Sequence, residues 1–196
     1  SRTPSASSEQ AHLVFQGPAI ALLELESIAR GYLVADAAVK RAPVRLLMTE
    51  PVTPGKYLVL FDGEVADVEE AYAEALEIAG PGVVDKLFLP QASLALAPAI
   101  RGEGADAEIE SLGVVETATV SAALLAADAA LKAAEVALVK MHLARGIGGK
   151  GYFVLTGSLD MVEAAVSSAA AIIAPELLVN TELIARPHPD FAPRAR

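Results

Sequence analysis

Glu24 stands in the apolar run LLELES and Glu116 in the apolar run VVETAT. A pair of carboxylates in hydrophobic surroundings is the raw material of general acid–base chemistry. The two occupy matching places in a repeat, which sets them far apart, so hydrogen bonding at a domain interface is the reading their placement favours. His12, His142 and His188 show no metal-ligand spacing such as H-x-x-x-H and are expected to be non-catalytic. Ser93, Ser121 and Ser158 lack the flanking glycines of a nucleophile elbow. Cysteine is absent, which excludes disulfides, thiolate metal sites, iron–sulfur ligation and a cysteine nucleophile. No catalytic residue, metal site or cofactor is therefore expected.

The elements that carry these residues are written twice. Residues 35–47 read ADAAVKRAPVRLL and residues 127–139 read ADAALKAAEVALV, with eight of thirteen positions identical. Glu24 and Glu116 share their offset of 92, whereas GKYLVLFDG (55–63) matches GKGYFVLTG (149–157) at an offset of 94. Two residues have thus been gained in the second copy, after the counterpart of Leu47 and before that of Gly55. A unit of about 90 residues is the size of a small domain and too long for a solenoid repeat. The expected organisation is an N-terminal extension over 1–16, a first domain over 17–102, a second over 103–188 and a tail over 189–196. The extension, rich in Ser and Pro, is expected to be flexible.

Each copy follows one plan. In the first, 19–25 reads as a strand, 33–41 as a helix ended by Pro43, and 44–49 as a second strand. Residues 51–55 read as a loop and 57–61 as a third strand. Val65, Val68, Tyr72, Leu76 and Ala79 mark one face of a second helix, with Leu159, Val162, Val166, Ala170 and Ile173 in the second copy. Residues 83–89 close the unit as a fourth strand. The order β-α-β-β-α-β is the split ferredoxin-like unit, an α+β fold with two helices on one face of a sheet. A short helix is expected within 93–100, in the link between copies.

Composition narrows the function classes. The chain has 196 residues, 54% of them hydrophobic, much of that alanine, and a net charge of −10. That charge argues against nucleic acid as a partner. The longest uncharged stretch, around 164–175, is too short to span a bilayer, so no membrane is expected. The N-terminal SRTPSASSEQ is polar, and no signal peptide is read there. Cores this small and this apolar point to burial between protein surfaces.

ADAALKAAEVALV, a glycine-rich turn, an apolar strand, a helix and LIARPH resemble, in that order, a bacterial microcompartment shell domain. The first copy carries the pattern again in ELESIARG, ADAAVKRAPVRLL and PGKYLVLFDGEVADVEEA. The resemblance covers about 165 of the 196 residues and is to the tandem, non-permuted, trimer-forming type. It implies a structural protein: a homotrimer shaped as a pseudohexamer, tiling beside hexameric and pentameric shell proteins around encapsulated enzymes in a bacterial cytoplasm, with a central pore for metabolites. It also implies site residues. The pore loops correspond to Val52–Gly55 and Gly146–Gly149, so that Thr53, Pro54, Gly55, Ile147, Gly148 and Gly149 line the pore. Lys56 and Lys150 follow directly and add positive potential or point to one face. Lys40 and Lys132 fall at the family's edge lysine and Arg186 at its edge arginine, giving contacts between tiles. Leu89-Pro90-Gln91 stands in the first copy where the second has Arg186-Pro187-His188, so the edges are expected to differ. Some tandem members hold an iron–sulfur cluster at the pore through cysteine, which Thr53 and Pro54 cannot do. The competing reading is a tandem ferredoxin-like enzyme or small-molecule binder, which requires clustered titratable groups between the copies.

Overall fold

The computed structural model describes residues 17–195; the extension 1–16, His12 within it, and Arg196 lie outside the described residues. The first copy comprises β1 (Ala19–Leu25), α1 (Ile28–Arg41), β2 (Arg45–Val52), β3 (Lys56–Gly63), α2 (Val65–Ala79) and β4 (Val83–Leu89). A short helix, α3 (Leu96–Ile100), lies in the link. The second copy comprises β5 (Ser111–Thr117), α4 (Val120–Ala133), β6 (Ala137–Leu143), β7 (Gly151–Gly157), α5 (Leu159–Ile172) and β8 (Leu178–Ala185). Each sheet is antiparallel, in the orders β2-β3-β1-β4 and β6-β7-β5-β8. This is the ferredoxin-like arrangement that the element order implies, made twice.

Side-chain alternation explains β1. Ala19, Ala21, Leu23 and Leu25 face α1 and α2, while Ile20 and Leu22 face the other way, into a cluster shared with α3 and α4. Both faces are covered, so the strand reads as a continuous apolar run. In the second copy the corresponding outer face, with Leu112 and Val114, packs instead on Ala107 and Ile109 of the link and on Ala195 of the tail.

The helices begin on matched caps. Ser27 accepts the N–H of Arg30, and Thr119 accepts that of Ala122, both at 3.2 Å. Helix α1 therefore starts five residues earlier than its apolar period suggests. The buried faces of α2 and α5 centre on Val68, Ala71 and Ala75 and on Val162, Ala165 and Ala169. Tyr72, Leu76 and exposed Leu159 flank these faces. Pro51 lies within β2, contrary to the loop expected over 51–55. That strand is a sheet edge, where a residue without an N–H costs no ladder bond.

Candidate functional site

The two turns preceding β3 and β7 differ in length. Register pairs Pro51 with Tyr57 and Leu143 with Gly151, which leaves five residues between them in the first copy and seven in the second. The gained residues therefore lie in the turn itself. The first turn is closed by the N–H of Gly55 on the carbonyl of Val52 at 2.9 Å. The second turn is tied by the N–H of Ala144 on the carbonyl of Lys150 at 2.8 Å. Gly146, Gly148 and Gly149 all hold positive φ, between 68° and 83°, which only glycine takes without strain. A methyl on Gly149 would lie 3.5 Å from the carbonyl oxygen of Thr53, so the turns run side by side. Thr53, Pro54, Gly55 and Gly148 are exposed, and Ile147 and Gly149 are half-buried.

Behind the turns is a cleft of about 320 Å³ between the copies, lined among others by Glu24, Thr53, Lys56, Asp85, Ser121 and Gly149. This cleft brings together three titratable groups, Glu24, Lys56 and Asp85, the kind of cluster that the competing enzymatic reading requires between the copies. The sheet register that could have shown it is invisible before pairing. Lys56 reaches buried Glu24 at 2.8 Å, and Lys150 reaches Glu116 at 2.9 Å. The two glutamates thus take their bonds from lysines of their own copies, although Glu24 does line the cleft. Arg145 of the second turn forms a two-pronged pair with Glu50 at the end of β2, with Nη2 2.8 Å from Oε2. The hydrogen bond donated to Glu50 raises the guanidinium pKa further. Each cation beside the turns is thereby matched by a carboxylate. The added positive potential expected from Lys56 and Lys150 is cancelled locally.

Asp85, on edge strand β4, meets the hydroxyl of Ser121 at the start of α4. A carboxylate there complements the helix N-terminus. Every buried side-chain nitrogen and oxygen among the described residues has a hydrogen-bond partner.

The remaining candidates are dispersed. Lys40 pairs with Asp36 at 2.6 Å on the exposed flank of α1. Lys132 pairs with Asp128 at 2.6 Å and also donates to the carbonyl of Gln91 at 2.5 Å. Arg186 is exposed and holds a left-handed φ of 53°. Strand register corrects one correspondence: Leu89 pairs with Ile20 as Ile184 pairs with Leu112, so Gln91, not Leu89, matches Arg186. His142 binds the carbonyl of Arg145 through Nε2 at 2.6 Å and stacks on Tyr152. His188 lies beside Asp190. The backbone N–H of Ser93 binds Asp128, and the Ser158 hydroxyl binds Asp160. No group of three His, Asp or Glu among the described residues is placed to hold a metal ion. No described helix is long and apolar enough to cross a membrane.

A model of the BMC domain matches residues 19–92 and, a second time, residues 111–187. The chain belongs to the bacterial microcompartment shell-protein family. It is 42% identical over 171 residues to the bacterial microcompartment shell protein PduT of Citrobacter freundii, spanning 87% of this chain and 93% of that protein. A solved microcompartment protein from Desulfitobacterium hafniense DCB superposes with a TM-score of 0.85 at 37% identity, covering 90% of this chain and 98% of the other. A fused permuted hexameric shell protein from the RMM microcompartment matches at a TM-score of 0.57 and 24% identity, over 80% and 81% of the two chains, and shares the fold. This shell protein is a tandem of two BMC domains with a structural role.

Proposed function

We propose that three of these chains close into a pseudohexameric homotrimer that forms a tile of a microcompartment shell in a bacterial cytoplasm. The observation that carries this is a contrast between α1 and α4. Inside one chain α4 lies against β4, and its Val120 and Leu124 are 1% and 0% exposed. Their counterparts on α1, Ile28 and Tyr32, are 39% and 65% exposed. The same helix face is thus covered once by the chain itself and once left bare, while β8, like β4, is the edge strand of its sheet. A head-to-tail contact of α1 on the next chain's β8 repeats the internal contact, and three chains with two domains each close the ring.

In that ring the paired turns converge on the axis, so Thr53, Pro54 and Gly55 and Ile147, Gly148 and Gly149 line a pore. Backbone groups and a threonine hydroxyl, with the neighbouring charges matched, suit small polar metabolites. Lys40, Lys132 and Arg186 lie toward the perimeter. The ammonium of Lys132 spends two of its three donors within the chain and keeps one for a neighbouring tile. The domains span 17–102 and 103–188, the partners are hexameric and pentameric shell proteins with enclosed enzymes, and the chain itself is not an enzyme. The enzymatic or ligand-binding alternative has only the cleft in its favour, and its three titratable groups, Glu24, Lys56 and Asp85, are each partnered within the chain.

Light scattering tests the reading. A chain of 20.2 kDa gives a trimer of three times that mass, 60.6 kDa, and negatively stained material should show flat sheets. A stable monomer at micromolar concentration overturns it.

A further inference from the structure

The polar contacts between the two copies form a clamp. The carboxylate of Asp128 accepts the N–H of Ser93 at 2.7 Å. One turn on, Lys132 donates to Asp128 and to the carbonyl of Gln91. Helix α4 therefore grips the backbone as it leaves β4. At its other end Ser121 meets Asp85 of the same strand.

The sheet registers identify the counterparts of every group in this clamp. Glu24 pairs with Asp85 as Glu116 pairs with Asn180, and Ile20 pairs with Leu89 as Leu112 pairs with Ile184. Continuing along the chain, Gln91 corresponds to Arg186 and Ser93 to His188. On the helix side Asp36 and Lys40 correspond to Asp128 and Lys132, and Ala29 corresponds to Ser121. Asp36 and Lys40 even keep the same ion pair at 2.6 Å, yet their side chains are more than half exposed. Among the described residues no backbone or side-chain hydrogen bond engages the carbonyl of Arg186 or the N–H of His188.

We infer that Asp36 and Lys40 of one chain clamp the segment leaving β8 of the next, Lys40 donating to the carbonyl of Arg186 and Asp36 accepting the N–H of His188. This rests on the trimer reading and adds to it a specific occupant for each side. An aspartate–lysine pair present in both copies, with a job inside the chain on α4 and none on α1, is accounted for by a second copy of the chain. The geometry also gives Lys40 a role within the tile, distinct from contacts between tiles. One difference between the two segments remains at Arg186, whose left-handed φ has no counterpart at Gln91. It turns the chain beyond β8 at the point where the lysine would meet it.

The chain contains no cysteine, so introduced ones report without background. Ala29→Cys with Asn180→Cys places thiols at the counterparts of Ser121 and Asp85, whose side chains touch. Mild oxidation of the double variant should yield a covalent three-chain species on a non-reducing denaturing gel, and neither single variant should. Separately, Asp36→Asn with Lys40→Met should raise the concentration of half-dissociation at least tenfold. A trimeric mass without cross-linking overturns the placement while the trimer stands. Cross-linking with unchanged dissociation of Asp36→Asn/Lys40→Met overturns the clamp. A monomeric mass for the unmodified chain overturns both the trimer and this inference.

Discussion

The two copies share a frame but fill it differently. On the first helix and third strand of copy one stand Gly31 and Tyr57; the same places in copy two hold Ala123 and Gly151. A methyl on Gly31 would run into the Tyr57 ring, and one on Gly151 would run into Ala123. The large and small partners have changed sides while the space between helix and sheet has stayed the same. A second exchange lies across β2 and β3. Arg45 and fully buried Asp62 form a two-pronged ion pair, with Nε 2.9 Å from Oδ1, which the hydrogen bond to Asp62 reinforces by raising the arginine pKa. The matching pair in copy two is Ala137 and Thr156, and the threonine hydroxyl is satisfied by the carbonyl of Ser111 at 2.9 Å. Even the register shifts recur at matched places, between Leu46 and Met48 and between Leu138 and Lys140. Backbone geometry is thus held more tightly than the side chains that support it, as expected of a fold whose outer shape must tile.

The largest effect should come from Tyr57→Gly, which imports copy two's residue without its partner. Loss of a buried ring costs about 3–5 kcal/mol. Gly31→Ala alone, which overpacks against the ring, should cost ~1–3 kcal/mol. The double variant should be less destabilised than the sum of the two, since the alanine occupies space the ring vacates. Denaturant unfolding of all four proteins measures the cycle, and strict additivity would show that these positions are not exchanged partners.

Arg45→Ala should come next, at roughly 3–5 kcal/mol, because it leaves Asp62 buried and unpaired. Adding Asp62→Thr transplants the neutral solution of the second copy and should restore most of the stability. If the double variant stays as unstable as Arg45→Ala, the two interiors are not interchangeable.

Gly148→Leu tests the turns, where the copies differ most. Its φ of 68° makes a side chain costly by about 1–2 kcal/mol at that residue, well short of unfolding the domain. The trimer mass should be unchanged and passage of metabolite through an assembled shell reduced. Unaltered passage would show that the second turn is not the constriction.

These differences also explain what the sequence could reveal. The repeated segments made the order β-α-β-β-α-β and the family legible, since both copies agree on the frame. The start of α1 was obscured because Gly31 and Tyr32 break its apolar period, although Ser27 carried the cap. The lysine–glutamate pairs 24–56 and 116–150 were hidden by the two-residue gain in the turn, which gives glutamate and lysine different offsets. The match of Gln91 with Arg186 could not be read, because one further residue is gained after α5 and the prolines at 90 and 187 suggest a false alignment.

The smallest effect on the fold, and the largest on assembly, should come from Lys132→Ala with Arg186→Ala. Lys132 is half exposed, and Asp128, although buried, keeps the N–H of Ser93 when the lysine is lost, so stability should fall by about 1 kcal/mol. Arg186 makes no ion pair among the described residues, and alanine carries the same left-handed φ at similar cost. Between tiles the situation differs. The aliphatic stem of lysine can lie along a flat neighbour while its remaining donor reaches a carbonyl. Arginine presents a planar fork to several acceptors at once. Each contact is weak, but every neighbour of a tile repeats it, so sheet formation depends steeply on its strength. The double variant should keep a trimer mass and a near-normal melting point while failing to form sheets by electron microscopy. Normal sheets would remove both residues from the perimeter. Loss of the trimer would show instead that the copy-two clamp around Gln91 also governs closure of the ring, making the two kinds of domain boundary cooperative.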